Sequence, residues 1–494
     1  MRTYVLLILA LVVADAFPWH LDAQQDANAN AQQKAEPEPS DSTISRGPTI
    51  SNPAVIQESP GWLYPIAKLD EVLPKWLFIG GEYRNRWEGP IGINYTGTND
   101  FYLLDRLRVR VTIRPKQWLS FHGELQDARI FFNHHIPNAN PYQDTFTLWE
   151  GYPQIGSSTK GWFDVLAGRQ VLQFSDQRVI GPSDWTNVGR TFNVARVDLH
   201  HEGTDVAVFA SAVVPGDNAY LHNALPGNNL YGVYSSFENN VVPKGTFEPY
   251  VLWHVAPANS GLPEEVGHGH INEVTIGLHW TGNIPGNFDY DSEFDGQRGS
   301  LGPYSIGAWA GYASIGKTFP KATAAPRIFL EGNYASGTKN PAGHDWNTFD
   351  QLYPSNHDKY GFADQIGRRN LVQFRTGIEE DGTDRWKLKQ QFEGFWLATS
   401  NDNLYNGSGF IAVPAHPGAS RHIGNEADFV FEYDLNKGLS FGFGYGVIFA
   451  GQFLRTTTPG YDYQYPYAYF QYNFSKSGFH YHVNSNKPDR PDYW

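Results

Sequence analysis

The chain has 494 residues, of which 50 are Gly, 15% are aromatic and 18% are charged, with a mean hydropathy of -0.46. That mixture excludes a disordered chain and a helical membrane protein. Cys is absent, which excludes a disulfide scaffold, a thiol catalyst and a Cys-ligated zinc site; a net charge of -14 argues against a general nucleic-acid partner but leaves room for a local basic channel.

The opening MRTYVLLILALVVADAF reads as a secretory signal, with Arg2 ahead of an apolar run over 5–13 that is too short to span a bilayer. Small-residue cleavage sites end at Ala16 or Ala23. Ala23 is preferred because QQDANANAQQKAEPEPSDSTISRGP follows, polar and without a core-forming pattern. An uncleaved membrane anchor is the weaker reading. The chain therefore divides into a signal peptide (1–23), a disordered periplasmic leader (24–60), one folded domain (61–474) and a C-terminal tail (475–494).

From Trp76 onward apolar and polar residues alternate with period two, the mark of strands with two unlike faces. In WLFIGGEYRNRWE, Glu82, Arg84, Arg86 and Glu88 oppose Ile79, Tyr83 and Trp87. In FYLLDRLRVRVTIRP, Arg106, Arg108, Arg110, Thr112 and Arg114 oppose Leu107, Val109, Val111 and Ile113. Next, QWLSFHGELQ sets His122 and Glu124 against Phe121 and Leu125, and VARVDLHHEG sets Arg196 and Asp198 against Val197 and Leu199. NFDYDSEFDG carries Asp289, Asp291 and Glu293 opposite Phe288, Tyr290 and Phe294. DRWKLKQQFEGFW carries Arg385, Lys387 and Lys389 opposite Trp386, Leu388 and Phe392, and YPYAYFQYNF closes the series.

About eighteen such segments, each near the length of a membrane-spanning strand, predict an all-β fold: a transmembrane antiparallel β-barrel in a single domain. Tight turns such as RPKQ (114–117) and DLNKG (434–438) contrast with long loops at 337–369 and 400–421, as in outer-membrane barrels. A soluble β-sandwich also alternates. The dense mixed charge on one face, the aromatic character of the other and the Trp residues at strand ends (Trp76, Trp87, Trp118, Trp280, Trp396) favour the barrel.

Three segments resemble a known family. DWNTFDQLYPSNHDKYGFADQIGRRNLVQFRTG (345–377) is similar to the long-loop signature of the alginate-export family of outer-membrane porins, FWLATSNDNLYNGSG (395–409) to the loop that follows it, and GRQVLQFSDQRVIGPSDWTNVGRTFNVARV (168–197) to an earlier pattern. The resemblance runs over about 76–474 and implies an eighteen-stranded barrel with an electropositive lumen for an acidic polysaccharide. It leaves the polar leader and the residues after the last strand unexplained, and it does not carry cargo identity over.

In a wide barrel the polar faces line an aqueous path. The expected solute wall is Arg84, Arg86, Arg106, Arg108, Arg110 and Arg114, with Arg196, and with Arg375, Arg385, Lys387 and Lys389 placed across from it. Arginine's planar fork suits carboxylates. Glu82, Glu88, Glu124, Asp198, Asp289, Asp291 and Glu293 are the acidic lumen partners, so most arginines are expected to be paired and a minority to meet cargo. Arg169 shares the parity of the lipid-facing Val165 and Ala167. A bulge at Gly168 would turn it inward, and a place near a rim is the alternative.

HGH (268–270), His134 and His135 offer no third ligand, so no metal is expected, and no cofactor. NFDYDSEFD lacks the Gly and Glu of a calcium loop. Neither a nucleophile elbow nor a phosphate-cradling loop occurs, so no enzyme is expected. The reading is a passive channel in the bacterial outer membrane. Its partners would be lipid, an anionic saccharide or small organic acid, and periplasmic export proteins, without nucleic acid. A secreted soluble carbohydrate-binding or degrading β-protein is the alternative, and a plugged barrel serving as adhesin or scaffold is a second.

Overall fold

The computed structural model describes residues 73–475 apart from 157–160, 215–223, 225–226, 240–244, 259–268, 383–384 and 437. The expected signal peptide, leader and tail, and His268, lie outside the described residues. Eighteen long strands follow one another: β1 (Leu77–Glu88), β2 (Tyr102–Lys116), β3 (Leu119–Phe131), β4 (Asp144–Gly156), β5 (Phe163–Gln170), β6 (Thr191–His201), β7 (Thr204–Val214), β8 (Asn229–Asn239), β9 (Gly245–Ala256), β10 (Ile271–Ile284), β11 (Phe288–Leu301), β12 (Tyr304–Thr318), β13 (Arg327–Ala335), β14 (Leu371–Gly382), β15 (Trp386–Leu397), β16 (His422–Asn436), β17 (Leu439–Ala450) and β18 (Tyr463–Ser475). Each pairs antiparallel with the next. β18 returns to β1, from Gly80↔Ser475 to Glu88↔Tyr467, and closes the barrel without a free edge.

The alternation in the sequence becomes an inside and an outside. On β2, Leu107, Val109, Val111 and Ile113 are exposed while Arg106, Arg108 and Thr112 are buried. The same outward apolar face continues on other strands, with Phe294, Leu330, Phe374 and Phe443 exposed. Trp76, Trp118 and Trp162 are exposed beside the short turns, where amphipathic rings suit a lipid–water boundary. Such a belt is costly in water and contradicts the soluble secreted alternative; the chain is an outer-membrane β-barrel. Among the described residues no helix is long and apolar enough to cross a membrane; the strands do so.

The barrel is not hollow. Loop 171–190 folds inward after β5, and loop 336–370 after β13. Phe174, Val179 and Ile180 pack on the inward Phe209, Tyr234 and Tyr250, and Phe349, Tyr360 and Ile366 pack with Tyr465 and Tyr467 of β18. The two loops meet through a parallel bridge, Ile180↔Tyr353. Loop 398–421 lies on the second of them, with Gly367 N–H donating to the Tyr405 carbonyl at 3.0 Å.

Candidate functional site: the arginine face of the lumen

The β1–β2 register sets Arg84 directly opposite Arg106 and Glu82 opposite Arg108. Facing arginines repel, so their position has to be offset by anions or dipoles. One anion comes from the wall: Arg106 Nη2 lies 2.6 Å from Glu82 Oε1. The rest comes from loop 171–190. Asp184 reaches Arg106 Nη1 at 3.1 Å and Arg108 Nη1 at 2.7 Å. Arg84 donates to the carbonyls of Asp184, Trp185 and Thr186 at 3.0, 3.1 and 2.9 Å. Arg86 donates to the Trp185 carbonyl at 2.6 Å, pairs with Glu88 at 2.6 Å and lies 4.0 Å from the Trp185 ring centroid. Arg108 also donates to Gln126 at 2.7 Å and sits 4.0 Å over Trp149. What the basic wall touches is thus a strip of three loop residues held by four guanidiniums.

The next residue ties the loop to the same side of the barrel. Asn187 Nδ2 donates to the carbonyls of Asp105, Arg129 and Tyr142 at 3.2, 3.0 and 2.9 Å. Burial alone would raise the Asp184 carboxyl, but Arg106 and Arg108 outweigh it and hold the group well below the usual carboxylate range. It remains a charged latch at any physiological pH.

The other side of the lumen has the opposite polarity. Here the wall is acidic and the loops supply the cations. Arg178 of loop 171–190 pairs with Glu331 of β13 at 2.8 Å and with Asp176 at 2.6 Å, and lies 3.7 Å from the Tyr312 ring centroid. Arg368 of loop 336–370 pairs with Glu293 at 2.7 Å and Asp295 at 3.0 Å, both on β11. The loops hold one another through Ser183 N–H donating to Ser355 Oγ at 2.8 Å and through the stacked Trp185 and His357 rings, 3.9 Å apart.

Arg190 differs from these cations. It donates to the carbonyls of Gly181 and Pro354 at 3.3 and 3.0 Å and faces the Tyr353 ring at 5.6 Å. Among the described residues no carboxylate pairs with it. Burial pushes its guanidinium down to about 10, still charged at neutral pH.

The remaining expected wall residues fall into pairs. Arg110 bonds Glu124 at 2.8 Å, Arg196 bonds Asp198 at 2.6 Å, and Arg375 bonds Glu331 at 2.8 Å. Lys389 meets Glu379 at 3.2 Å, and Lys387 is buried on the same inner face. Asp289 takes Arg327 at 2.6 Å, and Asp291 takes His279 at 2.7 Å. Arg114 lies at the short-turn end of β2, its guanidinium 5.9 Å from the Phe78 ring.

Three placements differ from expectation. The β5–β6 ladder runs from Asp164↔Asp198 to Gln170↔Phe192 without a register shift, so there is no bulge there to turn Arg169 inward. Arg169 sits opposite the outward Asn193 at the long-loop end of β5, donating to Asn193 Oδ1 and to the Leu148 carbonyl, each at 3.2 Å. That is the rim position, which lets a cation escape hydrocarbon. Gly168 is nevertheless needed: its φ is +139°, and a Cβ there would lie 2.2 Å from the Gly151 carbonyl oxygen. Arg385 is exposed in the turn before β15, because the Gly382↔Trp386 pair ends the ladder short of it. And β14 and β15 are not across the barrel from β1: only β16, β17 and β18 separate β15 from β1.

The cations and anion that organise the constriction, Asp184, Arg178, Arg190 and Arg368, were not picked out from sequence. They stand in loops, where no period exists to assign them a face.

A profile of the alginate-export family matches residues 75–467. The fold is similar to crystal structures of outer-membrane porins: Pseudomonas aeruginosa OccK1 (OpdK), TM-score 0.55 at 9% identity over 81% of this chain and 98% of that one, and OccK3 (OpdO), TM-score 0.54 at 11% over 82% and 97%. Acinetobacter baumannii OccAB1 gives 0.52 at 11% over 81% and 97%. Comparison with curated protein sequences finds no relative.

Proposed function

This chain belongs to the alginate-export family, and from that premise we propose that it is a porin passing anionic solutes, acidic saccharides among them, past the constriction made by loops 171–190 and 336–370. One observation carries the reading. Around residues 184–186 four guanidiniums (Arg84, Arg86, Arg106, Arg108) meet three carboxylates (Glu82, Glu88, Asp184), leaving a surplus positive charge. Arg84 and Arg190 are bonded to carbonyl oxygens rather than carboxylates. A carbonyl is a weaker partner than a carboxylate. Arg190 is half-buried, so an entering uronate carboxylate improves the bond it replaces there, while the buried clamp arginines attract it through the field of their surplus charge.

Replacing Arg190 with Glu, and separately Arg84 with Gln, tests this in planar bilayers under a salt gradient. The reversal potential is expected to move toward cation preference in both, further for the charge reversal. An unchanged potential in both variants contradicts the reading. The interlocking of the two loops favours a second one, a plugged barrel acting as adhesin or scaffold; absence of single-channel conductance in the wild-type protein supports it.

A further inference from the structure

Below the root of loop 171–190 the inner wall holds a group that the arginine clamp does not use. His122 and Glu124 stand two apart on β3, both inward, and the register places Glu150 of β4 directly opposite Glu124. Two carboxylates facing each other across a ladder repel. Arg110 relieves one of them, bonding Glu124 at 2.8 Å. Glu150 is fully buried; its Oε1 accepts the Val171 N–H at 2.9 Å, while its Oε2 has no hydrogen-bond donor. A buried carboxylate oxygen left this way is expensive. What it faces is the imidazole: His122 Nε2 lies 3.4 Å from Glu150 Oε2 and 3.9 Å from Glu124 Oε2.

We propose that His122, Glu124 and Glu150 form a divalent-cation site in the barrel wall, of the kind that takes Zn2+ or Co2+. One nitrogen and two oxygen donors, all within 4.8 Å of one another, make a three-ligand set that leaves a further position for water. A tetrahedral ion roughly 2.1 Å from each donor holds those donors roughly 3.4 Å apart; the His122–Glu150 pair already meets that spacing, and Glu124, which Arg110 holds, has to close in on it. The ring is already oriented: His122 Nδ1 meets Thr112 Oγ1 at 3.0 Å, an outer contact that leaves Nε2 toward the carboxylates. Because Glu150 also accepts the first N–H of loop 171–190, a bound ion fixes the point where that loop leaves the wall. The rival account is a contact of His122 with both carboxylates that holds no ion.

The test uses the full-length protein, untagged and stripped with a chelator in detergent, with Co2+ as the probe. Visible absorption is expected to rise to one equivalent. Glu150→Gln keeps the shape and an acceptor for Val171, and heat-modifiable migration confirms that the variant barrel is folded. Its affinity is expected to fall at least about tenfold, as is that of His122→Gln. Competition with Zn2+ should abolish the wild-type spectrum. No spectrum in the wild type, or equal binding by the wild type and both variants, overturns the site and leaves the ion-free contact.

Discussion

The two sides of the constriction solve the same problem with opposite charges. On β1 and β2 the wall is basic and the loop brings a carboxylate and three carbonyls to it. On β11 and β13 the wall is acidic and the loops bring Arg178 and Arg368. In both, inward charges on the strands act as docking sites for chain that folds into the lumen. The difference lies in what is left over: on the acidic side four carboxylates (Asp176, Glu293, Asp295, Glu331) share three guanidiniums (Arg178, Arg368, Arg375) and keep a negative surplus, whereas the basic side is matched partly by dipoles and keeps a positive one. Docking is thus shared by both sides, while the anion selectivity proposed above would rest on the basic one.

The comparison is broken most severely on the acidic side. Arg368→Leu leaves Glu293 and Asp295 buried without their cation, a loss of about 3–5 kcal/mol. Loop 336–370 is expected to become protease-sensitive in the folded barrel, and limited proteolysis with mass mapping checks this. On the basic side Asp184→Asn keeps the carbonyl contacts and removes the latch charge. A loss of about 1.5–3 kcal/mol is expected, with larger and noisier single-channel currents and a stronger preference for anions. If currents and selectivity match the wild type, the latch does not hold the loop. Trp185→Ala removes one cation–π contact, the His357 stack and edge contacts with Tyr467 and Tyr469, each about 0.5–2 kcal/mol, and is expected to loosen loop 171–190 without altering selectivity, because no charge changes.

The smallest expected effect sharpens the same contrast through pH. Asp184 is held below its ordinary value, so its contribution is present above the unfolded carboxylate pKa of about 3.9 and is lost only as pH falls through the lower folded-state value. Conductance is therefore expected to stay level from neutrality down to about pH 4. Opening already between pH 6 and pH 5 would show that a group other than Asp184 holds the loop.

The wall was legible in the sequence because it is periodic. Arg106, Arg108 and Arg110 against Leu107, Val109 and Val111 announce a strand with two environments, and a closed barrel is the arrangement that gives every such strand both. Pairings across adjacent strands, such as Arg110 with Glu124, follow once the order is known. The constriction was not legible. Residues 171–190 are rich in turn formers and follow no period, so nothing in them distinguishes a loop projecting outward from one folded into the lumen. The clamp arginines Arg84, Arg86, Arg106 and Arg108 look alike whether they face water, cargo or Asp184. Arg169 shows the same limit on a smaller scale: its parity marked it as outward, and the choice between a bulge and a rim depended on a register that parity alone does not supply.

The central claim is that the arginine ladder holds loop 171–190 inside the barrel, and the lack of any native Cys makes it directly accessible. A single Thr186→Cys variant, labelled with a bulky maleimide in the folded barrel, should react slowly, and at least tenfold faster when Arg106→Ala is added, as expected from losing about 1.4 kcal/mol or more of docking energy. Rapid labelling at the same rate in both backgrounds would contradict it, since the loop would then lie free of the wall.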